Sequence, residues 1–186
     1  MKRKFDLILV IFSFVILFIP FLVIAFLVLT TSKGPILYWS NRVGRHNRIF
    51  KMPKFRSMKM GTPEVATHLL SNPDKCLTLI GPFLRKSSLD ELPQLWSVLV
   101  GDMSFVGPRP ALFNQNDLIE LRNKKGIAIL VPGITGWAQV NGRDDLSNAQ
   151  KVKLDAEYLQ RKSFWFDCKI LWFTLIKVKN REGVSH

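Results

Sequence analysis

The chain has 186 residues, of which 47% are apolar, enough for one domain with a core of its own. It carries 27 Lys and Arg against 14 Asp and Glu, which gives a net charge of +13. An excess of that size calls for an acidic partner, which is a nucleic acid, an anionic lipid or a phosphorylated substrate. Cys76 and Cys168 lie far apart without metal-ligand spacing. This argues against a zinc site and favours free thiols in a reducing compartment.

Residues 7–29 form an unbroken run of low polarity, LILVIFSFVILFIPFLVIAFLVL. The run is longer than the apolar part of a secretory signal peptide, and no small-residue cleavage site follows it. As one straight helix it would be about 34 Å long, which is sufficient to span a bilayer. The run is therefore interpreted as a retained membrane segment.

Pro20 lies in the middle of this run and is expected to bend or break the helix, because proline removes a backbone donor and clashes with the preceding turn. Each half alone is too short to span. A Lys-Arg-Lys triplet precedes the run and six Arg and Lys residues follow within 42–56, and basic flanks belong on the cytoplasmic side. The sequence predicts a re-entrant helix-break-helix hairpin over residues 1–33. A proline-kinked single-pass helix is the alternative.

Residues 34–186 are predicted to form a cytoplasmic domain of the α+β class, mainly helical with little β-structure. Strand character appears at 36–39 and, mixed with loop, at 49–60, and a polar loop follows at 61–73. Helical character appears at 92–100, 117–125 and 151–161.

Residues 164–178 form a second apolar stretch, in which aromatic residues such as Trp165 and Trp172 alternate with charges such as Asp167 and Lys169. Charge this dense argues against spanning. The pattern is typical of an amphipathic helix that lies in the membrane interface. An amphipathic helix packed on the protein core is the alternative.

The sequence RKSSLDELPQ places two adjacent carboxylates, Asp90 and Glu91, just before a predicted helix. One interpretation is a capping box between Ser88 and Glu91. Pro93 weakens it, because proline is comfortable only in the first helical turn, which moves the cap to about Asp90. In either case the helix dipole and the nearby Arg85 are expected to favour the ionised carboxylates. An ionised carboxylate can attack phosphorus or ligate Mg²⁺.

Two further stretches are rich in proline and glycine. In GDMSFVGPRP, Pro108 and Pro110 hold Arg109 on a stiff backbone, which suits phosphate binding or a surface ion pair. In PGITGWAQVNGR, the glycines would let the backbone approach a ligand closely and Arg143 offers a charge; an ordinary hairpin turn is the alternative.

Together these stretches resemble the monotopic phosphoglycosyl transferases, the bacterial sugar transferase family that primes glycan assembly. The resemblance covers residues 5–184 and rests on NRVGRHNRIFKMPKFRSM, SLDELPQL, GDMSFVGPRP and PGITGWAQVNGR, which occur in the order of the family's signatures. One departure is Ile19-Pro20, where the family often has Ser-Pro with a hydroxyl that satisfies a freed carbonyl. The chain looks like the minimal form of the family.

The resemblance implies transfer of a phospho-sugar from a UDP-sugar, often N-acetylated, to undecaprenyl phosphate with release of UMP. By this resemblance Asp90 forms a phosphosugar-aspartyl intermediate, Glu91 assists in metal binding or proton handling, and Mg²⁺ held by these two carboxylates is the cofactor. The residues implied to bind substrate or phosphate are Arg85, Arg109, Arg143, Lys54, Arg56 and, with lower weight, Asp155.

The expected location is the cytoplasmic face of the bacterial inner membrane, in contact with membrane lipids. No nucleic-acid partner is expected, and the oligomeric state, including a homodimer, stays open. Two other functions are compatible with the charge and the aromatic residues. One is a membrane-tethered protein that binds anionic lipid or nucleic acid, and the other is a non-catalytic scaffold of glycan assembly. Neither accounts for adjacent carboxylates placed among arginines.

Overall fold

A computed structural model describes residues 2–65, 72–142 and 145–180, and within these the fold is mainly helical with two small sheets. The chain begins with helix α1, Lys2–Thr31. Of the described helices, α1 alone is long and apolar enough to cross a membrane. Most of its apolar side chains are exposed, as expected of a helix that faces lipid. Helical structure continues through Pro20, so no break is described there, and the re-entrant hairpin stays a prediction.

Both halves of α1 pack against the rest of the chain. Val10, in the first half, is fully buried in a cluster with Met52 and Val98. Ile24 and Val28, in the second half, are buried in another cluster with Leu84. Contacts at both ends keep the whole helix beside one folded domain.

Polar contacts also fix the first turns of α1. The carboxylate of Asp6, 4% exposed, accepts hydrogen bonds from Ser104 Oγ and the backbone N–H of Phe105, both at 3.1 Å. The ammonium of Lys2 lies 2.7 Å from an Asp167 carboxylate oxygen and donates to the Val106 carbonyl at 2.8 Å. A buried carboxylate satisfied by two donors is costly to displace, so the start of α1 is tied to the segment 104–106.

The first sheet is an antiparallel hairpin of β1, Leu37–Val43, and β2, Ile49–Phe55, with Leu37 opposite Phe55 and Val43 opposite Ile49. Strand β1 is longer than the predicted 36–39, and β2 ends inside the predicted 49–60. Alternate residues of a strand share a face and opposed residues lie side by side. Tyr38, Ser40, Arg42 and Lys54 therefore share one face of this hairpin.

The second sheet consists of two short parallel strands, β3, Ser104–Val106, and β4, Gly133–Thr135. A Cβ atom at Gly133 would lie 2.1 Å from the Gly107 nitrogen, and one at Gly136 would lie 2.1 Å from the Gly107 oxygen. The glycines at 133 and 136 therefore permit close approach of one backbone to another. The expectation that these glycines let a ligand approach stays a prediction.

The remaining α-helices lie between and after the strands in the chain. They are α2, Gly81–Lys86, α3, Leu95–Val100, α4, Asn116–Lys124, α5, Trp137–Val140, α6, Asn148–Arg161, and α7, Phe164–Asn180. The predicted helices at 117–125 and 151–161 are confirmed as α4 and α6, the latter starting three residues earlier behind a capping box of Ser147 and Gln150. Both cysteines are free thiols, as predicted.

Helix α7 packs on the protein core, as the alternative interpretation predicted, while its location in a membrane interface stays a prediction. Phe166 and Ile170 are buried and pack in a cluster with Tyr158. Trp165 and Trp172, in contrast, are 79% and 63% exposed. One side of α7 therefore contributes to the core, while large aromatic side chains project from another.

Candidate active site

The two carboxylates singled out by the sequence lie in a 3-10 helix, Leu89–Gln94, between α2 and α3. Ser88 precedes it in the left-handed conformation with φ 55°, and its side chain makes no capping hydrogen bond. The capping-box interpretation is therefore wrong. A tight 3-10 turn with Pro93 inside it replaces the regular helix start that a capping box requires.

The side chain of Glu91 turns instead toward two cations. Lys54 Nζ donates to Glu91 Oε1 at 2.9 Å, and Arg109 Nη2 donates to the same oxygen at 2.7 Å. The Glu91 and Lys54 side chains are only 11% and 15% exposed. These contacts bring β2, the 3-10 helix and the segment after β3 together at one site. They are expected to be strong, because hydrogen bonds between charged groups strengthen where water is largely excluded.

Asp90 is 8% exposed beside this ion pair. Burial raises the pKa of the Asp90 carboxyl above its usual range, the charge of Glu91 adds to that rise, and Lys54, Arg85 and Arg109 oppose it. The expectation that the dipole and Arg85 would lower this pKa is wrong, because loss of hydration outweighs the attraction of the cations. A poorly hydrated carboxylate, once ionised, is a stronger nucleophile than one in water.

The surrounding cations are perturbed by the same burial. Burial lowers the pKa of the Lys54 ammonium, and Glu91 and Asp90 oppose that change. Burial and the charge of Arg109 lower the pKa of Arg42 to about 10, against the opposing charge of Glu91. Arg42 therefore belongs to this site, although it was expected only as part of a basic flank of the membrane segment. The sequence pattern that could have revealed this is the alternation of Tyr38, Ser40 and Arg42, which places Arg42 on the face of the β1–β2 hairpin that also carries Lys54.

The predicted site residues fall into separate places. Asp90, Glu91, Lys54 and Arg109 come together, and Arg85, at the end of α2, acts on Asp90 electrostatically. Pro20 lies in the middle of α1. Arg143 lies outside the described residues.

Arg56 and Asp155 have other neighbours. Arg56 is buried near the end of α1, where its Nη1 atom lies 3.5 Å from the Lys33 carbonyl and against the Met60 sulfur. Its Nε has no hydrogen-bond partner among the residues that the structure describes. Asp155 is 1% exposed and pairs with Arg122 at 2.7 Å. Burial raises the pKa of Asp155, against the opposing charge of Arg122. Asp155 therefore lies behind the site rather than in it.

The site is rich in cations. Lys54, Arg109, Arg42 and Arg85 act on two adjacent carboxylates. Such a surplus of positive charge is suited to an anionic ligand with several oxygens, such as a diphosphate. Among the described residues there is no group of three or more His, Cys, Asp and Glu side chains able to hold a metal ion by themselves.

Sequence comparison defines the class of protein. The model of the family described as "Bacterial sugar transferase" matches residues 1–181. The chain belongs to this family.

Particular relatives are similar over nearly the whole chain. An undecaprenyl-phosphate galactose phosphotransferase of Salmonella typhimurium is 38% identical over 98% of the chain and 41% of its own length. A UDP-glucose:undecaprenyl-phosphate glucose-1-phosphate transferase of Escherichia coli is 41% identical over 95% of the chain and 40% of its own length. The chain thus spans about two-fifths of each. An uncharacterized sugar transferase, EpsL, of Bacillus subtilis is 40% identical over 100% of the chain and 90% of its own length.

Proposed function

We propose that this protein transfers a sugar phosphate from a UDP-sugar to undecaprenyl phosphate and releases UMP. The observation that carries the proposal is the buried carboxylate of Asp90 beside a Glu91 that is held by Lys54 and Arg109. The names of the relatives support the same pair of substrates.

The reaction proceeds in two displacements at the β-phosphorus of the donor. First, a carboxylate oxygen of Asp90 bonds to this phosphorus, the bond to the oxygen bridging the α-phosphate breaks, and the electron pair leaves with UMP. Next, a phosphate oxygen of undecaprenyl phosphate bonds to the phosphorus and the bond to Asp90 breaks, which regenerates the carboxylate. Two steps allow a polar donor and an apolar acceptor to use one nucleophile in turn.

The cations around Asp90 have two roles. They stabilise the charge that develops on the phosphoryl oxygens and on the leaving UMP, which is the main way a protein lowers the barrier of phosphoryl transfer. They also offset the cost of ionising a buried carboxyl group. In this proposal the side chains of Arg109, Arg85 and Lys54 contact the phosphates of the donor. Arg143 is proposed as a fourth phosphate ligand.

The two adjacent carboxylates also fit Mg²⁺, which usually takes one or two carboxylates, several waters and the phosphates of its substrate. Asp90 and Glu91 would hold the ion together with the diphosphate. When bound, Mg²⁺ would neutralise charge on that diphosphate.

The proposed location is the cytoplasmic face of the bacterial inner membrane, with α1 entering and leaving by the same leaflet. The contacts of both halves of α1 with one domain support this topology, because a spanning helix would carry one end away from that domain. The exposed Trp165 and Trp172 of α7 suit the lipid headgroup region. In this arrangement a membrane-bound acceptor reaches Asp90 without leaving the bilayer.

The donor is proposed to be a UDP-hexose, and N-acetylated hexoses are included because the family resemblance implies them. The names of the long relatives specify galactose and glucose. Glucose, galactose and their N-acetylated forms are therefore the donors to compare.

One assay tests the proposal. Detergent-solubilised protein is incubated with Mg²⁺, undecaprenyl phosphate and each UDP-sugar, and UMP is measured. We expect UMP with at least one donor, loss of UMP in Asp90→Asn, and retention of activity in Asp102→Asn, a matched change at an exposed carboxylate. Persistent release in Asp90→Asn would contradict the assignment of the nucleophile. Silence with every donor would favour a lipid-binding protein or a scaffold.

A further inference from the structure

We propose that Arg122 and Arg42 are positioning residues, which hold the backbone on either side of Arg109 so that its guanidinium meets Glu91 and the phosphates of the donor. The inference rests on the proposed function and adds to it a role for Arg122, which lies outside the four signature stretches, and for Arg42, which lies in the first of them. Each of the two arginines is itself oriented by an acid outside the reacting centre.

Arg122 acts on the carbonyl of Arg109. Its Nη1 donates to this oxygen at 2.9 Å, while its Nε and Nη2 donate to Asp155 Oδ2 at 3.0 and 2.7 Å. The Arg122 and Asp155 side chains are 12% and 2% exposed. Arg122 is thus fixed from α6 and reaches from α4 to the segment that carries Arg109.

Arg42 acts on the next carbonyl. Its Nη1 donates to the oxygen of Pro110 at 3.3 Å and its Nε donates to Ser40 Oγ at 2.9 Å. The Ser40 hydroxyl in turn donates to Glu64 Oε1 at 2.9 Å, and the same oxygen accepts from the Asn41 N–H at 3.0 Å. Ser40 is 1% exposed, so this chain of contacts is poorly solvated.

The local sequence explains why carbonyls are held. Pro108 and Pro110 have no N–H, so the segment has few backbone donors and can be fixed mainly through its oxygens. The Pro108 carbonyl accepts from Gly133 N at 2.9 Å, and the Ala111 carbonyl accepts from Val43 N at 2.9 Å. Together with the contacts of the two arginines, four successive carbonyls from 108 to 111 are held.

The arrangement matters for chemistry because a misplaced phosphate ligand is costly: a shift of about 1 Å can lower a rate roughly 100-fold. A purely structural role would instead make the Arg122 pair a source of stability alone. The two roles differ in one respect. If Arg122 works through Arg109, its loss has no further effect once the Arg109 guanidinium is gone.

The test is a double-mutant cycle on the whole 186-residue chain, purified in detergent. Arg122→Met is combined with Asp155→Leu, because replacement of a buried ion pair by apolar residues of similar volume usually preserves the fold, whereas removal of one partner leaves a buried charge. Arg122→Lys, which keeps the charge but loses the fork of donors, is the second variant. Glu120→Ala with Lys124→Ala, an exposed pair on α4, is the matched control.

Each variant is made with and without Arg109→Ala, and kcat/KM for UMP release, the Kd for UDP and the melting temperature are measured. We expect loss of the Arg122 pair to lower kcat/KM about tenfold or more, with the control unchanged. In Arg109→Ala, itself impaired, the same change should lower kcat/KM less than about twofold. Losses that multiply independently would overturn the positioning role.

The outcomes separate this inference from the proposed function. Wild-type activity in Arg109→Ala would show that Arg109 takes no part in the reaction. It would overturn both the phosphate contact assigned to Arg109 and the positioning role that acts through it. If no donor releases UMP, the proposed function fails, and the same cycle on the Kd for UDP still decides whether Arg122 acts through Arg109. Absence of UDP binding by the unaltered protein would contradict both the proposed function and the positioning role.

Discussion

Lys54 Nζ lies 2.9 Å from Glu91 Oε1, and the same ammonium is the strongest influence that opposes the raised pKa of Asp90. Lys54, which is 15% exposed, therefore interacts with both carboxylates: it is hydrogen-bonded to Glu91 and it favours the ionised form of Asp90. This relationship gives the lysine a role that can be measured by pH rather than by loss of activity alone.

Replacement of Lys54 by methionine is expected to move the acid limb of the kcat/KM profile to higher pH. Burial already raises the pKa of Asp90, so the reactive anion accumulates only above the pH at which an ordinary aspartate ionises. Loss of Lys54 removes an attraction that favours this anion, and the pKa of Asp90 rises further. UMP release measured from acid to neutral pH gives the profile.

Lys51→Met is the matched control, because Lys51 lies on the same strand but is exposed. It should leave the position of the acid limb unchanged. An unshifted limb in Lys54→Met, or an equal shift in both variants, would contradict the electrostatic role of Lys54.

Removal of the Asp6 carboxylate is expected to destabilise the protein. Asp6→Ala leaves Ser104 Oγ and the Phe105 N–H without their acceptor in a buried place, which costs about 1–3 kcal/mol. For a chain of this size that lowers the melting temperature by roughly 2–4 °C per kcal/mol. Thermal unfolding in detergent measures the change, and Asp102→Ala, at an exposed carboxylate, should change it little. Equal melting temperatures for the two variants would show that the Asp6 contacts add no stability.

The two ends of α1 are expected to face the same side of the membrane. Arg3 Nη2 donates to the Leu99 carbonyl at 2.7 Å, and Arg56 lies beside the Lys33 carbonyl, so each end contacts the same domain. Lys4→Cys and Lys33→Cys, made separately with Cys76 and Cys168 replaced by serine, are treated with an impermeant maleimide. Both should react in inverted vesicles and neither in intact spheroplasts.

Lys124→Cys, on the exposed face of α4, reports the side of the domain and serves as the control. Labelling of Lys4→Cys from the opposite side would establish a single-pass helix and refute the re-entrant topology.

The sequence predicted the parts of the site that are local. The order of SLDELPQL and GPRP identified Asp90, Glu91 and Arg109 together, and the alternation of charge and apolar residues predicted α4 and α6 closely. Helix periodicity and a short motif depend on neighbours in sequence, which is why they can be read from a single chain.

The features that the sequence did not predict depend on tertiary contacts. A local capping box for Glu91 was a sound expectation, but Lys54 and Arg109 compete for the same carboxylate from distant segments. The pKa of Asp90 moves opposite to expectation because burial is a property of the packed fold. Arg122 gave no signal, because its partner Asp155 lies on a different helix.

The covalent step is tested most directly by trapping. Protein is mixed with the active UDP-sugar labelled with ³²P in its β-phosphate, without acceptor, and is denatured and separated from free donor. We expect label on the chain that maps to the peptide containing Asp90, persists in Asp102→Asn, is absent from Asp90→Asn, and is removed when undecaprenyl phosphate is added before denaturation. Steady release of UMP with no label on Asp90, or equal labelling of Asp90→Asn, would contradict a phosphosugar-aspartyl intermediate.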